Sequence, residues 1–364
     1  MLKYPPSLIT IMAMKGLILA GGLGRRIRPL THAGPKQLIP VANKPVMHYA
    51  IEDLVDSGIR DIGIIVGYTP ERISAIKESC GSGEKWNARI TYIEQDAPLG
   101  LAHAVWTARN YLGSDNFVMY LGDNLIGSGI KKFVEEFVSS GADASLLLAK
   151  SRSPERFGVA ELAGGRVISV EEKPATPRSD TVLAGVYIFS PAIMKYIKNL
   201  KPSARGELEI THAIQRMIQD GRKIIHHVIQ DWWDDAGTAE DILHANRMIL
   251  SKMEGKIEGS VVANAIAGAV RLGKGSVVKG STIAGPAIIG ENVLIEDARI
   301  GPYTSIGNDV KIAGGSIESS IIMDGCVLRL SKKKLVNSLI GKSCTIKESD
   351  AMSFVIGEDS RVEI

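Results

Sequence analysis

The stretch Gly16-Leu17-Ile18-Leu19-Ala20-Gly21-Gly22-Leu23-Gly24-Arg25-Arg26-Ile27-Arg28-Pro29-Leu30-Thr31 decides how this chain is read. Gly16 to Ala20 is an apolar run too short for a helix and reads as a buried strand. It empties into Gly21, Gly22 and Gly24, where a backbone without Cβ atoms turns sharply and lets a bulky group lie against it. Two arginines follow at once, and Lys36 arrives after Pro35. Backbone N–H groups and cations aimed at one spot form an anion cradle, most often for phosphate. A tight turn alone accounts for the glycines; the clustered cations Arg26 and Lys36 point to a triphosphate. The pattern is not the G-x-x-x-x-G-K-[ST] loop, and it lacks the third glycine of the dinucleotide fingerprint.

Downstream, strands alternate with helical patterns from Lys15 to about Lys150, the mark of a mostly parallel sheet wrapped by helices. Asp61 to Val66, Ile90 to Glu94, Phe117 to Leu121 and Ala144 to Leu148 read as strands, with helices over Pro45 to Val55 and from near Leu99. In such sheets ligands lie beyond the carboxyl ends of the strands. The glycine turn, Gln95 and Asp123 all fall at such ends, so one crevice gathers them. A Gln amide carries donor and acceptor side by side and suits the N3–H and O4 edge of thymine or uracil alike. Asp123 offers a hard oxygen ligand of the kind Mg²⁺ takes together with substrate phosphates.

Leu19-Ala20-Gly21-Gly22-x-Gly24-x-Arg26 and then Pro35-Lys36-Gln37-Leu38-x-Pro40-Val41-x-Asn43-Lys44-Pro45 closely resemble the sugar-1-phosphate nucleotidylyltransferases. The Lys-Gln-Leu variant looks most like the glucose-1-phosphate thymidylyltransferases. Arg25 stands where such families usually carry Thr. The resemblance implies a Rossmann-like nucleotidyltransferase domain that makes dTDP-glucose and pyrophosphate from dTTP and glucose 1-phosphate. It implies catalytic roles for Arg26, Lys36, Asp123 and Asp235, the two aspartates holding Mg²⁺. Trp232-Trp233-Asp234-Asp235-Ala236-Gly237-Thr238 resembles the family's Trp-x-Asp-x-Gly-Thr, which aligns Asp235 as the second metal ligand. Leu19, Ala20, Gly21, Gly22, Gly24 and Arg25 would meet the nucleotide, as would Gln95, Pro98 and Gly100 from the base-reading segment. Gly158, Glu172, Lys173, Gly185 and Arg205 match segments around the sugar phosphate; Pro202 to Thr211 is a near-verbatim match to the thymidylyltransferases. Rival readings are a UTP-dependent or other hexose-1-phosphate enzyme, and a silent regulatory subunit that binds a nucleotide sugar. Intact Arg26, Lys36, Asp123 and Asp235 argue against the last.

Thr238 to Met253 reads as a closing helix and Glu254 to Glu258 as a polar linker. Beyond it Leu272, Ile289, Ile306, Met323 and Ile340 recur every 17 residues, and Ile356-Gly357 ends the series one residue early. Val278, Ile295 and Ile312 form a second column and Ile283, Ile300 and Ile317 a third; small residues (Ser276, Val293, Val310, Cys344, Ser360) recur at the fifth position. The unit looks like the hexapeptide left-handed parallel β-helix, whose coils bury their inner face only by stacking. Some proteins with this coil acetylate amino sugars with a histidine base, but all seven histidines here precede the repeat. Scaffolding and homo-oligomer contact are the roles expected of it.

The domains expected are a flexible extension over 1–13, a nucleotidyltransferase domain over 14–253 and a β-helix over 259–364, with Met14 as an alternative start. The chain has 364 residues, 45% apolar and 23% charged, with a net charge of +3. That balance argues for neither nucleic acid nor a membrane surface as partner. No apolar run approaches the roughly 20 residues a membrane span needs. Cys80, Cys326 and Cys344 make neither a disulfide framework nor a zinc pattern and read as buried thiols in a reducing cytoplasm.

Overall fold

A computed structural model describes residues 11, 13–22, 24–32, 34–67, 69–262 and 265–348. Most of the expected N-terminal extension, and the repeat positions Ile356, Gly357 and Ser360, lie outside them. Ile11, within that extension, is buried in the core, and Met14 donates its N–H to the Ile11 carbonyl.

The chain forms two compact units: residues 1–23, 34–38 and 47–235 in the first, residues 24–33, 39–46 and 236–364 in the second. In chain order the strands to Asp234 are β1 (Lys15–Leu19), β2 (Pro40–Val41), β3 (Lys44–Pro45), β4 (Asp61–Val66), β5 (Arg89–Glu94), β6 (Phe117–Leu121) and β7 (Leu125–Ile126). They continue with β8 (Ala144–Lys150), β9 (Gly158–Ala163), β10 (Arg166–Glu172), β11 (Thr181–Phe189), β12 (Ile224–Val228) and β13 (Trp233–Asp234). The helices are α1 (Val46–Asp56), α2 (Pro70–Cys80), α3 (Leu101–Thr107), α4 (Arg109–Leu112), α5 (Lys131–Ser140), α6 (Ile193–Ile197), α7 (Ile210–Gln219) and α8 (Ala239–Ser251).

In the first unit β6, β1, β4 and β5 run parallel in that order, as expected for a Rossmann-like sheet. The carboxyl ends of β1, β5 and β6 lead directly into Ala20-Gly21-Gly22, Gln95 and Gly122-Asp123. Within this mostly parallel sheet β11 inserts antiparallel between β6 and β8. β11 is buried along its whole length, which is why it reads as one apolar run with no alternation. Its register slips around Gly185 (φ 71°), where a Cβ would come within 2.7 Å of Asn124 Oδ1. Glycine at this position makes room for Asn124.

The second unit carries the repeat as three stacks of short parallel strands, the arrangement of a left-handed β-helix. The three apolar columns point into one core. One column residue differs from expectation: Ile306 stacks on Ile322 and Ile322 on Ile340, so Met323 is displaced by its neighbour. The coil is one residue short before this point and one long after it, which lets Asp324 reach the corner and accept the Asn308 N–H at 2.9 Å. The same shift puts Cys326, not Val327, in the small-residue column, stacked between Val310 and Cys344. Cys80 and Cys326 are buried, but Cys344 is exposed, on the last of the described coils.

Helix α8, expected to close the first domain, belongs with the coil. Thr238 caps it by accepting the Asp241 N–H, and Glu240 and Asp241 suit its positive N-terminal end. The reason for its placement is Asn246, fully buried. Its Oδ1 accepts from Ala42 N at 2.9 Å and from Ser305 Oγ at 2.6 Å, and its Nδ2 donates to the Tyr303 carbonyl at 3.0 Å. The β2–β3 hairpin is held there too, because Asn43 Nδ2 donates to the Ile306 carbonyl at 2.6 Å.

Candidate active site

The centre of the first unit is an ion pair between Lys36 Nζ and Asp123 Oδ2. Lys36 begins a single helical turn, Lys36–Leu38, set by Pro35, and Asp123 follows β6 after one glycine. A Cβ on Gly122 would lie 3.2 Å from the Leu19 carbonyl, so glycine is what lets Asp123 sit beside the end of β1. Asn124 steadies the carboxylate: its Nδ2 donates to Asp123 Oδ1 at 2.9 Å, while its Oδ1 accepts from Trp233 Nε1 at 2.7 Å.

Asp235 reaches the same place through a two-stranded ladder. β7 starts two residues after Asp123, β13 ends one before Asp235, and Asp234 pairs with Leu125 and Trp233 with Ile126. Continued one step past its last pair, the antiparallel register would bring Asp235 toward Asn124, the residue after Asp123. Asp235 Oδ1 faces Arg156 at 4.0 Å, and both aspartates are about five-sixths covered (17% exposed each). Among the described residues no group of three or more His, Cys, Asp or Glu could hold a metal. Two carboxylates suit a hard cation that takes its other ligands from phosphate and water.

Gln95 extends from β5 and is buried, its N–H bonded to the Val66 carbonyl. Its side chain lies on the glycine turn, since a Cβ on Gly21 would be 2.9 Å from Gln95 Oε1. Gly22 faces Gln37, whose Oε1 is buried with no hydrogen-bond donor among the described residues. Gly100 (φ 102°) starts α3 where a Cβ would strike the Leu208 carbonyl at 2.6 Å. Gly24, Arg25 and Arg26 belong to the second unit, where Gly24 is left-handed (φ 64°) and its carbonyl accepts from Thr31 Oγ1 at 2.7 Å. Their part in phosphate binding rests on the sequence motif.

The sugar-side residues form a charged cluster. Glu172 Oε1 faces Arg205 at 3.3 Å and Lys173 at 3.7 Å, and its Oε2 accepts from Thr211 Oγ1 at 3.2 Å. Burial, then the nearby Glu209, pushes the Glu172 carboxyl up, against the pull of Lys173, Arg205 and Thr211. The forked donors of Arg205 also meet Glu207 and Glu209, each at 3.4 Å, and Glu209 is held by Ser203 at 2.9 Å. A Cβ on Gly158 would press on Leu183 at 2.8 Å and Thr211 at 3.0 Å. Lys173 sits at φ 43°, an uncommon conformation for a side-chain-bearing residue.

Comparison with known proteins decides the family. A family model described as nucleotidyl transferase matches residues 15–252. This chain belongs to the nucleotidyl transferase family. A glucose-1-phosphate thymidylyltransferase of Streptomyces antibioticus is 46% identical over 96% of this chain and 99% of its own length. A low-salt glycan biosynthesis nucleotidyltransferase of Haloferax volcanii is 42% identical over 96% of this chain and all (100%) of its own. A solved structure from Bacillus anthracis, described as a glucose-1-phosphate thymidylyltransferase in complex with a sucrose, shares 38% identity at a TM-score of 0.62. It covers 67% of this chain, which spans 98% of that one. Nucleotidyltransferases of this family generally use a divalent metal.

The transferase pairs Lys36 with Asp123, sets Asp235 directly after the strand that pairs with β7, places Gln95 against the glycine turn, and gathers Glu172, Lys173 and Arg205. Sequence reasoning passed over Asn124, Trp233, Arg156, Glu209 and Thr211. Asn124 and Trp233 adjoin named aspartates and were within reach. Glu209 and Thr211 lay inside the Pro202–Thr211 match but carried no role there. Among the described residues no helix is long and apolar enough to cross a membrane.

Proposed function

We propose that this transferase joins dTTP and glucose 1-phosphate into dTDP-glucose and pyrophosphate. The observation that carries this reading is the Lys36–Asp123 pair with Asp235 beside it across the β7–β13 ladder. A phosphate oxygen of the sugar phosphate forms a bond to the α-phosphorus. The bond from that phosphorus to the bridging oxygen breaks, and pyrophosphate leaves with the electron pair. The nucleophile is already an anion, so no residue need remove a proton.

Negative charge grows on the bridging and equatorial oxygens, and a cation fixed there beforehand lowers the barrier. Lys36, paired with Asp123, supplies that cation. Asp123 and Asp235 would hold Mg²⁺, their donor set fitting a hard cation completed by phosphate oxygens. When bound, Mg²⁺ supplies charge neutralisation on the α-phosphate and orientation of the reacting oxygens. Gln95 reads the pyrimidine edge, and Gly21, bare of a side chain, lets the base lie on the turn. Glu172, poor in solvent, accepts hydrogen bonds from sugar hydroxyls, and Lys173 and Arg205 face the sugar phosphate.

Pyrophosphate release measured over a panel of nucleoside triphosphates and sugar 1-phosphates tests this. Fastest release with dTTP and glucose 1-phosphate supports it; preference for UTP or another hexose moves the substrate within the same chemistry. No release with any pair would overturn it.

A further inference from the structure

Gln95 can read a base only if its amide presents the correct end, because the two ends of a carboxamide are nearly the same shape and opposite in hydrogen-bonding sense. Its carbonyl end, Oε1, lies against Gly21, and among the described residues nothing donates to it. Its amino end, Nε2, lies 3.0 Å from His103 Nδ1. His103 stands on α3, largely covered, and its Nε2 faces Asp96 Oδ1 at 3.5 Å. An amide NH₂ only donates, so Nδ1 must accept and the ring proton sits on Nε2, toward the Asp96 carboxylate. His103 Nδ1 and the Gln95 amino group thus form one directed contact, with the exposed Asp96 carboxylate on the other side of the ring, and its far end is the Gln95 carbonyl oxygen beside the glycine turn.

We propose that His103 is a specificity-determining residue, which fixes the Gln95 amide so that its carbonyl faces the base and selects thymine or uracil over cytosine. This rests on Gln95 reading the pyrimidine. Thymine and uracil carry a proton on N3, which an amide carbonyl accepts; cytosine has a lone pair there, which the same carbonyl repels. A reversed amide would donate to cytosine N3 instead. Reversal brings Oε1 against His103 Nδ1, lone pair against lone pair, unless the ring moves its proton off Nε2 and away from Asp96. The preference is therefore built one residue behind the contact. His103 is a positioning residue: it acts through Gln95.

The test is steady-state kinetics with dTTP and dCTP, glucose 1-phosphate held saturating, on the full chain and on folded His103→Leu and His103→Gln. Leu offers no acceptor; Gln keeps one. For His103→Leu the expected outcome is a dTTP-over-dCTP ratio of kcat/KM narrowed about tenfold or more, the order of one misdirected buried hydrogen bond. The loss should fall on the nucleotide KM, with KM for glucose 1-phosphate unchanged and the ratio restored in His103→Gln. A ratio within twofold of the parent in His103→Leu would overturn the inference. Should that variant not fold, the ¹⁵N shifts of the His103 ring in the unaltered protein decide: a proton on Nε2 is expected, and a proton on Nδ1 overturns it. Absence of any release from dTTP or UTP by the parent protein would instead bring down the functional reading itself.

Discussion

Lys36 carries the chemistry proposed here, and its surroundings explain why it is poised. The Lys36 side chain is about seven-eighths covered (12% exposed) and its ammonium is paired with Asp123, so the cation is fixed in position. Lys36→Ala should cut turnover by roughly 10²–10³, the usual cost of one preorganised stabilising group, while the protein stays folded. Turnover near the parent value would contradict that role. Glu172 gives a second prediction at this scale. Its carboxyl is pushed up by burial and Glu209, so the folded chain holds its proton more tightly than the unfolded chain does. The stability this supplies is full below the unfolded pKa and is lost as pH rises through the folded one. Melting temperature of the parent should therefore fall relative to Glu172→Gln as pH climbs through and above the ordinary carboxylate range. A parallel or rising difference would show the surrounding cations prevailing. Lys36, Asp123 and Gln95 were legible because each ends a strand or follows a proline. His103 was not, since a lone histidine on a short helix carries no period or motif that tells a positioning role from packing.

Among the elements, the β2–β3 hairpin shows most clearly what the sequence hides. Its two-residue turn places Ala42 at φ 48° and Asn43 at φ 60°, the pattern of a type I′ turn. Asn tolerates that region and Ala does not, so the turn is held by what it touches. The Asn246 amide supplies the hold through Ala42 N, Ser305 and Tyr303. Ala42→Gly should raise stability by about 1 kcal/mol, the cost of a Cβ in the left-handed region. Asn246→Ala should lower it by about 1–3 kcal/mol, because buried partners lose their hydrogen bonds. Chemical denaturation of both variants checks the pair, and equal midpoints for all three proteins would refute the clamp. A single Asn within a helical pattern gives no hint of this, whereas the glycine turn and the coil columns declare themselves by repetition. Even there, the substitution of Ile322 for Met323 escaped a fixed period of 17, because two compensating one-residue changes leave the flanking coils in step.

The whole molecule divides differently from a catalytic domain with a trailing coil. The chain passes into the second unit at residues 24–33 and 39–46 and again after Asp235, so two segments of the N-terminal motif are built together with the coil. The sequence could not show this, as the motif and the repeat lie more than 200 residues apart and each is recognisable alone. Ending the chain after Met253 would remove Tyr303, Ser305 and Ile306, the coil partners of Asn246 and Asn43. Such a truncation should lower the melting temperature and reduce pyrophosphate release, since the hairpin begins only two residues after the Lys36 turn. Full release with an unchanged melting temperature would show the coil to be dispensable. The central claim is that Asp123 and Asp235 act together on one metal during nucleotidyl transfer. A magnesium titration of pyrophosphate release from dTTP and glucose 1-phosphate, run on the parent, Asp123→Asn and Asp235→Asn, tests it most directly. The account predicts that each variant is inactive at magnesium concentrations that saturate the parent and recovers, if at all, only at higher ones. Parent-like release and magnesium dependence in either variant would contradict it.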